Sequence, residues 1–107
     1  MKKKTLIVLF NLKEGAEEKD YQKWALEVDI PIAGSLKSVD DFKLFKTQSI
    51  FGSDQIPPFK YIEVIDINDF DNFPADIAAE PRMNEVASKF QSLADSPIFL
   101  VTDKIAD

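Results

Sequence analysis

The spacing of apolar positions changes along the chain, and each change marks an element. Leu6-Ile7-Val8-Leu9-Phe10 is unbroken and rich in β-formers, so Thr5 to Asn11 reads as a central strand covered on both faces. Asn11 to Gly15 is a polar connection. Tyr21, Trp24, Ala25 and Val28 then recur at i, i+3, i+4 and i+7, one apolar stripe along an α-helix. Glu17, Glu18 and Asp20 lie in its first turns, where the helix dipole favours acids. Pro31 denies Ile30 easy α geometry, so the helix is expected to stop near Asp29.

After Gly34 and Ser35 the period shortens again. Val39 to Ser49 alternates as a second strand, with a bend or bulge near Asp40-Asp41 where the alternation slips. Phe51 to Pro58 is irregular, a loop marked by Gly52 and the Pro57-Pro58 pair. Phe51 and Ile56 within it predict a fold back over apolar surface, either as a lid or as a hairpin loop with a buried tip. Phe59 to Ile67 is a third strand of clean period two, with Phe59, Tyr61, Glu63, Ile65 and Ile67 on one face. Asn68 opens a turn or short helix limited by Pro74, which Ala75 to Glu80 extends. Pro81 suits the first position of a second main helix, whose buried stripe is Met83, Val86, Ala87, Phe90 and Ala94. Ile98 to Thr102 is a short fourth strand. The order β-α-β-β-α-β predicts one α+β domain over residues 1–107, a ferredoxin-like split motif with an antiparallel sheet. Helices cover one face of such a sheet. The runs in strands one and four are apolar on both faces, so the second face is expected to be covered too. A second copy, packed sheet to sheet about a twofold axis, would make a dimeric α+β barrel.

Composition narrows the function. The net charge of −6, with Lys2-Lys3-Lys4 as the only basic cluster, argues against nucleic acid and anionic membrane surfaces. With no Cys, disulfides, thiol chemistry and thiolate metal sites are excluded; with no His, so are the commonest general base and the usual haem ligand. No cofactor or metal is expected. The five-residue apolar run after the lysines is shorter than a secretory or membrane segment requires, so a soluble cytoplasmic protein is expected.

Asp29 is the residue out of place. A carboxylate in a last helical turn faces the negative dipole end, at a cost of roughly 0.3–1 kcal/mol when exposed, and such rule-breaking concentrates at functional sites. Two readings stand. Asp29 caps a short turn that opens at Ile30-Pro31, or it turns inward, where burial would raise its pKa toward neutrality and make it a general acid or base. Glu63 is the second candidate, an acid on the apolar face of strand three; its alternative is an edge or solvent position, or a cross-strand lysine pair. Tyr21 and Trp24 are candidate stacking walls for a planar ligand, and Tyr61 and Phe10 candidate binding residues beside them.

Tyr21-x-x-Trp24-x-x-x-x-Asp29-x-Pro31, with Leu36 and the strand from Val39, resembles the helix-and-turn of the dimeric α+β barrel superfamily. So do the Asp69-Phe70 opening and the Pro81 to Phe90 helix. The EthD-like group there commonly carries a His two residues before the proline. Asp29 in that place, with a Trp in the helix, is closer to the RedY-like (HapK-like) proteins of prodiginine (prodigiosin-type) biosynthesis. The resemblance implies an accessory protein of a secondary-metabolite pathway that binds an aromatic, pyrrole-like or polyketide-like intermediate. It would assist a cyclisation, dehydration or release step without cofactor. The missing His puts His-dependent chemistry in doubt. The alternative is a non-catalytic homodimer that carries the intermediate or stabilises a biosynthetic enzyme.

Overall fold

The computed structural model describes residues 2–107. Four antiparallel strands, β1 (Lys4–Leu12), β2 (Val39–Lys46), β3 (Tyr61–Ile67) and β4 (Ala94–Thr102), form one sheet in the order β2-β3-β1-β4. The helices are α1 (Glu18–Trp24), α2 (Ile30–Ala33), α3 (Phe73–Ala79) and α4 (Met83–Leu93); a π-helical turn, Ala25–Asp29, joins α1 to α2. This is the ferredoxin-like α+β fold.

The register sorts the side chains. Leu6, Val8 and Phe10 of β1 stand beside Ile65, Glu63 and Tyr61 of β3 on the helix-covered face, extended by Phe42 and Leu44 of β2 and Phe99 and Val101 of β4. Period two sends Ile7, Leu9, Ile62, Val64, Phe45, Ile98 and Leu100 to the opposite face, which this chain leaves open. The register of β2 against β3 slips between Val39 and Asp41, where the alternation falters, and the slip returns Val39 to the buried side opposite Ile67. A second slip, between Leu9 and Asn11, sets Ser96 and Pro97 together against Phe10; Ser96 there takes a positive φ of 49°.

Several boundaries differ from expectation. β4 begins at Ala94 rather than Ile98, so Ala94 belongs to the sheet and not to the helix stripe. The strands β2 and β3 stop and start nearer to each other's core, at Lys46 and Tyr61. The 51–58 loop does not bury its tip: Phe51 is 104% and Ile56 88% exposed, so neither the lid nor the buried hairpin tip forms within this chain. The base of the loop is tied by Asn11, whose Nδ2 donates to the Pro58 carbonyl while its Oδ1 accepts from the Lys60 N–H. Among the described residues no helix is long and apolar enough to cross a membrane.

Candidate functional site

The first helix does not end at Asp29. It continues to Ala33 through the π-turn, in which the Ile30 N–H bonds the Ala25 carbonyl five residues back. Pro31 accounts for the irregularity: it has no N–H to give, and its ring collides with the carbonyl four residues earlier in a regular α-turn. Widening the turn relieves that collision without breaking the helix.

The widened turn sets which side chains face inward. In a straight α-helix a residue eight positions after Tyr21 lies about 80° off its face, at 100° per residue. The extra residue held by the π-turn rotates Asp29 back, so Tyr21, Ala25 and Asp29 are all buried while Leu26 and Glu27 face water. Asp29 is 5% exposed and its side chain makes no capping hydrogen bond, which removes the capping reading. Glu63 reaches the same interior by simpler means, as the middle inward residue of β3, and is also 5% exposed.

Both carboxylates line one cavity of about 340 Å³ between the sheet and the helices. Its walls are apolar: Leu6 and Val8 from β1, Phe42 from β2, Phe73 and Ile77 from α3, Met83, Val86 and Phe90 from α4, and Phe99 from β4. Gln91 is the other polar lining residue besides the two acids, and no Lys or Arg lines the space. Neither carboxylate is hydrogen-bonded or ion-paired among the described residues. Burial without a counter-charge disfavours the ionised form. It pushes Asp29 up to about 6. Glu63 is pushed up to about 8, by burial first and by the Asp29 charge second. The two charges oppose each other, so the pair releases its protons in separate steps. Near neutral pH the pair therefore holds one proton, an acid and a base in one apolar chamber.

The aromatic candidates lie elsewhere. Phe10, Tyr21 and Tyr61 are fully buried in a cluster packed behind the cavity, with Phe10 stacked on Tyr61 at 5.5 Å and edge-on to Tyr21 at 5.6 Å. Phe90 connects this cluster to the cavity wall, 5.0 Å from Phe10. The Tyr61 hydroxyl is occupied, donating to Glu18 and accepting from Gln22 Nε2. Trp24 is partly buried against the core, tilted over Tyr21. None of these four lines the cavity, whose aromatic lining is Phe42, Phe73, Phe90 and Phe99. In the stripe that periodicity reads as core, Val86 and Phe90 are buried and Ala87 is exposed, and Met83, Val86, Ala87 and Phe90 also line the cavity; a helix stripe looks the same in sequence whether it packs on side chains or on a space. No cluster of His, Cys, Asp and Glu able to hold a metal occurs among the described residues.

Solved structures share the fold. HapK from Hahella chejuensis is 23% identical over 97% of this chain and 94% of its own, with a TM-score of 0.76. SnoaB, a cofactor-independent oxygenase from Streptomyces nogalater, is 11% identical over 100% of this chain and 97% of its own, TM-score 0.77. A dimeric ferredoxin-like protein of unknown function from Thermobifida fusca is 9% identical over 96% and 92%, TM-score 0.72. At these identities the likeness is one of fold. No curated protein matches the chain. The family model described as REDY-like protein HapK matches residues 4–105, and the chain belongs to that HapK family.

Proposed function

We propose that the protein is a cofactor-independent accessory enzyme of secondary-metabolite biosynthesis, of the prodiginine or bipyrrole type. It holds an aromatic, pyrrole-like or polyketide-like intermediate in the apolar cavity and moves protons on it in a cyclisation, dehydration or release step. One observation carries this reading: two buried carboxylates without partners line the same cavity. Asp29 serves as the base, since it ionises at the lower pH, and Glu63 as the acid. Desolvation raises the basicity of Asp29, and Phe42, Phe73, Phe90 and Phe99 offer faces and edges to a planar ligand. Membership of the HapK family and the fold shared with a cofactor-independent oxygenase support the pathway and the mode of catalysis.

The working form is a cytoplasmic homodimer closed through the open sheet face. Phe45, Ile98 and Leu100 are exposed there beside Ile7, Leu9, Ile62 and Val64, a contiguous apolar surface of the kind that marks an interface. The Thermobifida fusca protein of the same fold is described as dimeric.

The test uses 5-nitrobenzisoxazole, a planar probe whose ring opens when a desolvated carboxylate removes its carbon-bound proton. The wild type should open it faster than an equal concentration of acetate buffer, and Asp29→Asn should fall to the buffer rate with its melting temperature retained. Wild-type protein that binds the probe and does not accelerate its opening would identify a non-catalytic carrier instead.

A further inference from the structure

Tyr21 and Tyr61 pack with ring centroids 4.9 Å apart, yet their hydroxyls are treated differently. That of Tyr61 has two partners, while that of Tyr21 is buried and has none among the described residues. A buried, unpaired hydroxyl is uncommon enough to require a reason. Its surroundings supply one. Tyr21 shares the inward helix face with Asp29 by way of the π-turn, and its ring leans on Tyr61, whose strand presents Glu63 two residues later on the same face. Tyr21 is near enough to both carboxylates for their charges to act on its hydroxyl, and it does not line the ligand space.

We infer that the Tyr21 hydroxyl is a reserve donor that closes a hydrogen bond onto Glu63 whenever that carboxyl has given up its proton. The inference rests on the reading that the pair moves protons. Glu63 passes its proton to the ligand as Asp29 takes one from it, so the pair's proton count is unchanged while the buried negative charge moves from Asp29 to Glu63. A carboxylate created in an apolar chamber gains most from a donor already in place. Burial, and then the charges of Glu63 and Asp29, hold the Tyr21 proton far above the usual phenol range, so the group donates and does not ionise. Asp29 and Tyr21 are the titratable groups that face Glu63; its strand neighbours Val8 and Leu44 and the α4 residues Phe90 and Gln91 carry no charge. Tyr21 is a positioning residue in this scheme, acting through Glu63 without touching the ligand.

The experiment needs no ligand. Full-length protein labelled at the glutamate carboxyl carbon is titrated by NMR, with Glu63→Gln identifying the Glu63 signal, in wild type and in Tyr21→Phe. Loss of the donor should weaken Glu63 ionisation about threefold or more, while melting at pH 5, where Glu63 is protonated, changes little. Superimposable Glu63 titrations would overturn the inference. Should Tyr21→Phe not fold, wild type labelled at the tyrosine ζ carbon answers the same question. The Tyr21 signal should follow the Glu63 titration and lie flat in Glu63→Gln; a signal flat in both overturns it. These outcomes leave proton transfer by the pair standing, whereas Glu63 titrating near an ordinary glutamate value would sink both ideas.

Discussion

Asp29 and Glu63 come from a helix distortion and a strand centre, more than thirty residues apart in the chain, and end in one cavity with no cation on its wall. The charge on Asp29 makes Glu63 harder to ionise. That relation turns two buried acids into a divided pair rather than two copies of one group, and it sets the pH behaviour.

Activity toward 5-nitrobenzisoxazole should follow a bell. The rate rises as Asp29 ionises, with a midpoint near 6, and falls as Glu63 loses the proton it offers to the developing oxyanion, with a midpoint near 8. Asp29→Asn should abolish the rise and the rate together. Glu63→Gln should keep the rise and lose the fall. Initial rates between pH 4.5 and 9.5 decide it, and a flat profile would count against the division of roles.

Stability should decline with rising pH. Both folded-state values lie above those of the unfolded chain, so the folded protein holds more protons, and stability falls wherever the unfolded chain has already released them. For Asp29 the window runs from 3.8 to about 6 and for Glu63 from 4.5 to about 8. Each group in its window costs on the order of 1 kcal/mol per pH unit. From these two groups, urea midpoints should be highest below about pH 4 and fall as the pH rises. Glu63→Gln should match wild type near pH 4 and exceed it at pH 9, where the buried charge has been removed. A wild-type midpoint that climbs between pH 5 and 8 would contradict the burial of both acids.

The sheet edge supplies the third prediction. Leu100 stands opposite Ile7 on the open face, near Ile98 on the same edge strand. Leu100→Asp places a charge within a surface that dimerisation would bury, and an unpaired buried charge opposes association strongly. Sedimentation at micromolar concentration should give the dimer mass for wild type and the monomer mass for the variant, with secondary structure retained by circular dichroism. A monomeric wild type would show that this face stays open.

Strand periodicity carried most of the fold and half of the candidate site. Alternation in Phe59 to Ile67 put Glu63 on the apolar face with an edge or solvent position still open, and the structure buries it there. Asp29 was legible only as an anomaly, because helical phase was counted at α spacing. That count put Val28 on the stripe and left Asp29 at the helix end, whereas the π-turn half-exposes Val28 and buries Asp29. A proline that distorts a helix and a proline that ends one follow the same residues, and tertiary packing decides between them. The aromatic lining of the cavity was not legible for a related reason. Composition counts nine Phe without saying which are buried, and nothing local separates Phe10, which packs solid, from Phe90, which packs on one side and lines a space on the other. Phe51 and Ile56 were read as buried because they are apolar, and nothing local in the loop showed that the fold leaves them exposed.

The π-turn itself can be tested by changing the phase of the helix. Pro31→Ala removes the ring that opposes an α-turn and supplies the missing N–H. With the turn free to tighten, Asp29 rotates about 100° away from the buried face, one residue's worth of helix. Its carboxyl should then titrate nearer the ordinary aspartate range than the wild-type value of about 6. Deleting the exposed Leu26 from the same variant takes out the residue that the wide turn accommodates and brings the carboxylate back over Tyr21 and Ala25, so the raised value should return. Carboxyl NMR on aspartate-labelled protein follows both steps, and the melting temperature of the double variant should equal or exceed that of Pro31→Ala. If the deletion leaves the carboxyl titrating like a solvent-exposed aspartate, helical phase is not what carries Asp29 into the cavity.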